Sequence, residues 1–266
     1  MEYHVFSSII SCYILSMESK VLHTSSQIKK MLIVSCVVLL FIGCRTQQEI
    51  IRTPEEIAFG EEAVKEMMAL VVVAASDSFF EGGQWNTIST EVVPVQAGNV
   101  IALRNEIPGM KRLLDTYLKE TQITISALAK QIPEFISEQI SPDLSFSDPY
   151  AIIEGENDAI TRYFAAMVSD SVEKWIESQL EGDIGKEVSL AWEKLISTYN
   201  TYAKSQNLLN QQNDDAPIPI IDVSFNRTVT IAILRNLIGA MTTQEALLRT
   251  MAPAYEDPRI TLFSSQ

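Results

Sequence analysis

Residues 110–118, MKRLLDTYL, decide the fold class, because their apolar side chains recur with the period of an α-helix. The apolar positions are i, i+3, i+4, i+7 and i+8, which together form one buried helix face. They are occupied by Met110, Leu113, Leu114, Tyr117 and Leu118. The same pattern continues from residue 123 to residue 140, where Pro133 interrupts it, so we expect a kink or two shorter helices there.

The helical period recurs on both sides of this segment. Residues 172–180 and 188–202 carry apolar stripes of the same spacing, and residues 229–250 predict a central core helix. Thr53-Pro54-Glu55-Glu56 predicts a helix start with a capping box, and that helix is expected to end near Gly82-Gly83. The sequence therefore predicts an all-α fold, a single multi-helix domain of about seven to nine helices.

Two segments depart from the helical pattern. Val92, Val93 and Val95 flank Pro94, which favours an edge strand or an extended loop over a central strand. Residues 207–219 are polar and contain proline, so they predict a long loop. Neither segment changes the fold class, because convincing stretches of period two are absent from the chain.

The N-terminus has the plan of a secretory signal. Lys29 and Lys30 precede the uncharged run MLIVSCVVLLFIG at residues 31–43. This run is shorter than the roughly 20 apolar residues that span a bilayer. Met17 would give a more usual basic leader, so translation is expected to start at Met17, or residues 1–16 form a leader without structure.

The junction Phe41-Ile42-Gly43-Cys44 resembles the bacterial lipobox, in which a small residue precedes a lipidated cysteine. The resemblance implies that the chain is cut before Cys44 and that the new terminus carries lipid, including palmitate. The predicted regions are a leader and lipoprotein signal peptide at 1–43, a lipidated tether at 44–53 and a helical domain at 54–266. The expected location is the cell envelope, on a membrane and facing the periplasm or the exterior. An ordinary signal peptide or a single membrane anchor is the alternative.

The composition excludes several functions from the cleaved chain. Cysteine occurs only at positions 12, 36 and 44, and histidine only at positions 4 and 23. Cleavage would thus remove every histidine and leave one lipidated cysteine, which excludes disulfides, Ser-His-Asp triads, Cys-His dyads and zinc sites. The net charge is −14 for the whole chain and −15 for residues 44–266, so binding to nucleic acid is not expected.

Residues 147–164, SDPYAIIEGENDAITRYF, resemble the central signature of the domain of unknown function 4197 family. Ile107-Pro108, Tyr199-Asn200, and the C-terminal Glu245, Arg249 and Pro258-Arg259 resemble further family segments in the same order. The resemblance implies a helical, exported and often lipidated protein over residues 55–263, and it carries no catalytic residues. The candidate motif residues that it singles out are Gly155, Asp158, Thr161, Tyr163 and Phe164.

Several groups allow a functional and a structural interpretation. Glu154, Glu156 and Asp158 could bind Ca²⁺, but helix termination at Gly155 and capping by Asn157 or Asp158 explain them better. Arg162 is expected to point away from the core or to pair with Asp158. Trp175 and Trp192 could stack on sugars, although both lie on apolar stripes. No metal, cofactor or catalytic residue is predicted.

Three hypotheses about function follow. The favoured one is a non-enzymatic binding or scaffolding module that reaches the membrane through the lipid on Cys44. The second is a carboxylate-dependent hydrolase of cell-wall glycans. The third is a helical carrier of a lipid or small apolar ligand, suggested by the five methionines Met67, Met68, Met110, Met167 and Met241.

Overall fold

The computed structural model describes residues 52–78, 84–209 and 216–264 of the chain. Within these ranges the fold is all-α, with ten α-helices and no strand. The described residues belong to one compact unit, Arg52–Gln266. The predicted signal peptide, the cleavage point and Cys44 therefore lie outside the described residues.

The first half of the domain contains four helices. Helix α1 spans Pro54–Ser78, α2 spans Gln84–Glu91, α3 spans Gly98–Ala102 and α4 spans Met110–Phe135. The capping box at the start of α1 is confirmed. The Thr53 amide donates to Glu56 Oε2 at 2.7 Å, and the Glu56 amide donates to Thr53 Oγ1 at 3.2 Å.

Six helices make up the second half. Helix α5 spans Pro149–Ile153, α6 Ala159–Met167, α7 Ser169–Glu181, α8 Lys186–Leu209, α9 Asn226–Met251 and α10 Pro258–Thr261. Helix α8 continues to Leu209, into the predicted 207–219 loop, and residues 216–225 have no regular secondary structure between α8 and α9. The C-terminal segment also joins the core, since Ile260 and Phe263 are buried.

One hydrophobic core holds the long helices together. Helix α8 packs on α4, α1 packs on α9, and α7 also packs on α9. Each helix contributes the apolar face that its sequence period predicts: Leu114 and Leu128 from α4, Leu195 from α8 and Leu237 from α9 are buried in the same cluster. Burying apolar surface of this kind is the main favourable term in folding.

Of the two alternatives expected for Val92–Val95, the edge strand is wrong, and residues 92–94 form a short loop. Val92 and Val93 are buried at the end of α2, and Val95 begins a short 3₁₀ turn over Val95–Ala97. The hydroxyl of Tyr117 donates to the Val92 carbonyl at 2.7 Å, and burial raises the pKa of this tyrosine. Local valine content favoured a strand, whereas burial of the valines against α4 requires no strand pairing.

Pro133 does not divide the predicted helix. Helix α4 runs through it to Phe135 and continues as one π-helical segment, Ile136–Ile140. Ile132 and Ile136 on either side are buried, so packing retains the helix although proline lacks the amide for one hydrogen bond. Helix α1 ends at Ser78, before the expected Gly82-Gly83 stop, and those glycines lie outside the described residues.

None of the helices in the described ranges combines the length and the apolar character that a membrane crossing requires.

Candidate functional site

The central motif forms a corner between two short helices, α5 and α6. Asp148 caps α5, because its Oδ1 accepts hydrogen bonds from the amides of Tyr150 and Ala151, each at 3.1 Å. Pro149 occupies the first helical turn, where its missing amide is harmless. The chain leaves α5 after Ile153 and enters α6 at Ala159. We call residues 148–164 the α5–α6 corner.

Gly155 is required in the corner by space rather than by backbone conformation. A Cβ at this position would lie 2.7 Å from the Ala151 carbonyl oxygen and 2.9 Å from the Ala159 Cβ. The only glycine with positive φ among the described residues is Gly109. The predicted helix stop at Gly155 is therefore present, and any larger residue would push α5 and α6 apart.

The start of α6 is capped by a carboxylate from a distant helix, α9. Glu245 Oε1 accepts the amide of Ile160 at 3.0 Å, and Oε2 accepts the amide and the hydroxyl of Thr161, both at 2.8 Å. A negative group is favourable here because the first amides of a helix lack partners and its dipole is positive at this end. Asp158, the expected cap, makes no side-chain capping bond.

The end of α5 is held by the guanidinium of Arg249, one turn after Glu245 on α9. Arg249 NH1 donates to the Ile153 carbonyl and NH2 to the Ile152 carbonyl, each at 2.9 Å. These carbonyls belong to the last turn of α5, where a cation complements the helix dipole. The same guanidinium lies 5.0 Å from the centre of the Phe263 ring.

Glu245 and Arg249 are also paired with each other. Arg249 Nε donates to Glu245 Oε1 at 2.9 Å, and NH2 lies 2.9 Å from the same oxygen. The Glu245 side chain is 0% exposed and the Arg249 side chain 3%. Both charges are removed from water, so the pair is tolerable only because its hydrogen-bonding groups have partners. We call these two residues the buried ion pair.

The acidic cluster of the corner is engaged by arginines. Arg162 NH2 lies 3.0 Å from Asp158 Oδ1, which confirms the expected pairing, and 3.1 Å from Glu156 Oε2. Glu154 pairs with Arg52. Within the part of the chain that the structure describes, no group of three or more His, Cys, Asp or Glu side chains is placed to hold a metal ion.

Arg52, the first described residue of the chain, contacts the α5–α6 corner. Its guanidinium pairs with Glu154 and lies 3.4 Å from the centre of the Tyr150 ring. Tyr150 in turn donates its hydroxyl to the Glu56 carbonyl of α1 at 3.2 Å. Gly60 allows this approach, since a Cβ there would lie 2.9 Å from Tyr150 Cε2. Arg52 is thus fixed at the α5–α6 corner.

The remaining motif residues are structural. Phe164 is buried in the core together with Ile160. Tyr163 packs on Phe146 with ring centres 4.8 Å apart, and its hydroxyl donates to the Ser145 carbonyl at 3.3 Å. Partial burial raises the pKa of Tyr163. Thr161 belongs to the helix cap described above.

The two tryptophans that could have bound sugars are packed within the domain. Trp192 is 6% exposed and lies 5.0 Å from the Tyr117 ring, while Trp175 stacks on Phe135 at 4.8 Å. Four of the five methionines are likewise buried among core side chains, and Met167 is exposed: the buried ones are Met67, Met68, Met110 and Met241. Trp192 also borders a groove beside residues 221–223, but its ring packs on Tyr117 and Phe225. The packing of these side chains favours neither the hydrolase nor the carrier hypothesis.

Sequence reasoning did not assign a role to Glu245 or Arg249. It placed them on the C-terminal helix only through the family resemblance. Their spacing of four residues, in a helix whose other inward positions are mostly apolar, is the signal that could have revealed a buried ion pair. Nothing local to residues 245–249 shows that their partners are the α5–α6 corner, 85 residues earlier in the case of Ile160.

The comparisons with known proteins agree with the motif. A family model described as "Protein of unknown function (DUF4197)" matches residues 60–258, which include the corner and the buried ion pair. No curated protein and no solved structure matches the chain.

Proposed function

The chain belongs to the DUF4197 family, and we propose that it is a lipid-anchored envelope protein whose helical domain binds or scaffolds other molecules without catalysing a reaction. The lipid would be carried by Cys44, the membrane would be reached through residues 44–53, and neither nucleic acid nor a cofactor is part of the proposed role.

The proposal is supported mainly by the contacts that the buried charged side chains make. Among the described residues, the buried charged side chains are Glu245 and Arg249, and both are committed to helix ends and to each other. A catalytic acid needs a proton that it can donate, a catalytic base needs a lone pair that can accept one, and both need access to the substrate. A domain whose buried charges serve helix geometry is better suited to present a fixed surface than to perform chemistry.

The position of Arg52 supports a tethered arrangement. Its ion pair with Glu154 and its contact with the Tyr150 ring attach the start of the domain to the α5–α6 corner. A chain leaving such a fixed point would have a defined origin on the domain surface. Eight residues from Cys44 to Arg52 span at most about 28 Å when extended, which would keep the domain close to the membrane.

Metabolic labelling with a fatty-acid analogue tests the anchor. We expect label on the wild-type chain, none on Cys44→Ser, and retained label on the matched control Cys36→Ser, with mass spectrometry placing residue 44 at the N-terminus. Protein isolated with residues 1–43 intact and a free thiol at Cys44 would contradict the proposed anchor.

The non-catalytic role is tested with the purified domain and isolated cell-wall glycans. We expect no soluble fragments to be released, and we expect the lipidated protein to be recovered from crosslinked membranes with a stoichiometric protein partner. Release of glycan fragments that is abolished by substituting one exposed carboxylate would overturn this role.

A further inference from the structure

The segment between α8 and α9 is attached to α8 through its main chain. We call residues 216–225, APIPIIDVSF, the strap, and the face of α8 that contacts it the ladder. Four side chains form the ladder: Trp192, Tyr199, Asn200 and Asn207. All of their hydrogen bonds to the strap go to backbone groups, at residues 218, 219, 221 and 223.

The two asparagines bind the strap in the same bidentate way. Asn207 Nδ2 donates to the Ile218 carbonyl at 2.9 Å, and its Oδ1 accepts the Ile218 amide at 2.7 Å. Asn200 repeats this arrangement with Ile221, at 2.8 and 2.9 Å. An amide side chain has both a donor and an acceptor, so it can satisfy one residue of an extended chain as a neighbouring strand would.

Helical and extended geometries match along this face. Asn200 and Asn207 are seven residues apart, which corresponds to about 10.5 Å along a helix. Ile218 and Ile221 are three residues apart, which corresponds to about 9 Å along a polyproline II chain, whose three residues per turn bring both backbone positions to the same side. Each asparagine therefore meets an equivalent backbone position, and the register of α8 fits an extended polypeptide that runs antiparallel to it.

Two further bonds complete the ladder. The Tyr199 hydroxyl donates to the Pro219 carbonyl and Trp192 Nε1 to the Val223 carbonyl, both at 3.0 Å. On the strap, Ile221 and Phe225 are the buried side chains, whereas Ala216, Pro217, Pro219, Ile220 and Asp222 are exposed. The ladder thus binds the backbone of the strap, and the core holds one or two of its apolar side chains. The other side chains of the strap contribute little to this recognition.

The strap does not fill this face of the helix. A groove of about 480 Å³ lies between the strap and α8, with Trp192, Ile196, Asn200 and Lys204 on the helix side and Ile221 to Val223 on the other. Two ladder residues therefore also border open space. An incoming chain could reach them from this groove while the strap is still in place.

We propose that the ladder is a binding site for an extended segment of a partner protein, and that the strap occupies this site in the free protein. The partner segment would offer a free amide and carbonyl at two positions three residues apart, with an apolar side chain at the position equivalent to Ile221. This inference rests on the proposed binding role but not on the lipid anchor.

The strap would compete with a partner segment for the ladder, and it is joined to the ladder within the same chain. A ligand linked through a short connection has an effective concentration in the millimolar range. A free peptide therefore binds wild-type protein weakly and binds strongly only when the strap has been displaced. This makes the strap a gate on the ladder, opened by a partner segment that binds better than residues 216–225.

The test uses a labelled synthetic peptide with the sequence of residues 216–225 and a variant whose own strap is released. In the chain, Ile218→Pro removes the amide that Asn207 accepts, and Ile221→Asp places a carboxylate in an apolar pocket. We expect this variant to keep the helical circular dichroism of the wild type and to bind the peptide about 100-fold more tightly, as the loss of a millimolar intramolecular competitor requires.

Two controls make the result specific. A peptide with proline at both positions 218 and 221 lacks the two recognised amides and is expected to lose at least about 10-fold in affinity, since the half-buried Oδ1 atoms of Asn200 and Asn207 then lack their donors. Adding Asn200→Leu and Asn207→Leu to the released chain is expected to weaken binding of the unaltered peptide to the same extent. If the released chain does not fold, Ile218→Pro alone, at a half-buried position, carries the same comparison.

Equal peptide binding by wild-type and released protein would overturn the proposal, as would undiminished binding by the leucine variant. The peptide experiment uses protein without lipid, so its failure leaves the labelling of Cys44 as an independent test of the proposed function.

Discussion

Thr161 and Thr230 are both buried threonines in helices, yet their hydroxyls have opposite surroundings. Thr161 Oγ1 donates to the Glu245 carboxylate at 2.8 Å. Thr230 Oγ1 is fully buried and has no hydrogen-bond partner. A buried polar group without a partner loses its bonds to water and gains none in return. The hydroxyl of Thr161 therefore stabilises the fold, whereas the hydroxyl of Thr230 destabilises it.

Replacing Thr230 with valine is expected to raise the free energy of unfolding by about 1 kcal/mol, because the shape is kept and an unsatisfied hydroxyl is removed. Thr161→Val is the matched control and is expected to lower it by about 1.5–3 kcal/mol, since a hydrogen bond to a charged group is lost. Urea unfolding measures both. Destabilisation by Thr230→Val equal to that by Thr161→Val would show that the Thr230 hydroxyl has a partner.

The capping box of α1 predicts a pH dependence at residue scale. The pKa of Glu56 is lowered from its ordinary 4.5, first by the hydrogen bond from the Thr53 amide and then by that from the Thr53 hydroxyl. A pKa lowered by folding means that the stabilisation is present above the unfolded pKa and is lost as the pH falls through the folded one. Stability from this cap is therefore lost in the acid range, below pH 4.5.

Thr53→Val is expected to move the pKa of Glu56 part of the way towards its ordinary value, because the hydroxyl bond is removed and the amide bond remains. An NMR titration of the Glu56 side chain in the wild type and in the variant gives the two pKa values directly. An unchanged Glu56 pKa in this variant would contradict the capping role of the hydroxyl.

At the scale of helices, two glycines show how packing decides the effect of one methyl group. Gly60 on α1 faces the ring of Tyr150 and Pro149 Cγ, with an added Cβ at 2.9 and 3.1 Å. Gly239 on α9 has nothing within 4 Å of an added Cβ. Helix propensity favours alanine at both sites by about 1 kcal/mol, so packing alone separates them.

Gly60→Ala is expected to lower the free energy of unfolding by about 1–3 kcal/mol, because the methyl group forces α1 away from α5. Gly239→Ala, the control, is expected to raise it by about 0.5–1 kcal/mol. Thermal unfolding of the two proteins gives the comparison. Stabilisation by Gly60→Ala would mean that α1 and α5 are not in contact at this point.

Helix interiors and local caps could be predicted from sequence, because their causes lie within a few residues. The stripe of α4, the Thr53–Glu56 box and the Asp158–Arg162 pair are of this kind. Asp158 occupies the predicted cap position of α6, but the hydrogen bonds come from Glu245. A partner 84 residues away along the chain leaves no local signal, so the centre of the candidate site could not be derived.

The wrong predictions have the same origin. The two shorter helices expected at Pro133 and the edge strand expected around Pro94 were read from local propensity, which the hydrophobic core overrides. Burial of Ile132 and Ile136 stabilises the helix on both sides of Pro133. Burial of Val92 makes strand pairing unnecessary. Propensity is a weak prior wherever tertiary packing supplies the larger energy.

At the scale of the whole molecule, the buried ion pair joins parts of the chain that are far apart in sequence. Helix α9 packs on α1 and α7, and through Glu245 and Arg249 it also fixes the ends of α5 and α6. Arg52 then attaches the start of the domain to the same corner. Loss of the pair should therefore weaken the whole domain and the entry point of the tether together.

The most direct test of this role is a double-mutant cycle of unfolding free energies for Glu245→Gln, Arg249→Met and the two combined. Each single variant leaves one charge buried without its partner and is expected to lose about 3–5 kcal/mol. The combined variant is expected to lose less than the two single losses together, by about 2 kcal/mol, because no unpaired charge remains. If the two single losses add within about 0.5 kcal/mol, Glu245 and Arg249 act independently, and the buried ion pair does not link α9 to the α5–α6 corner as a unit.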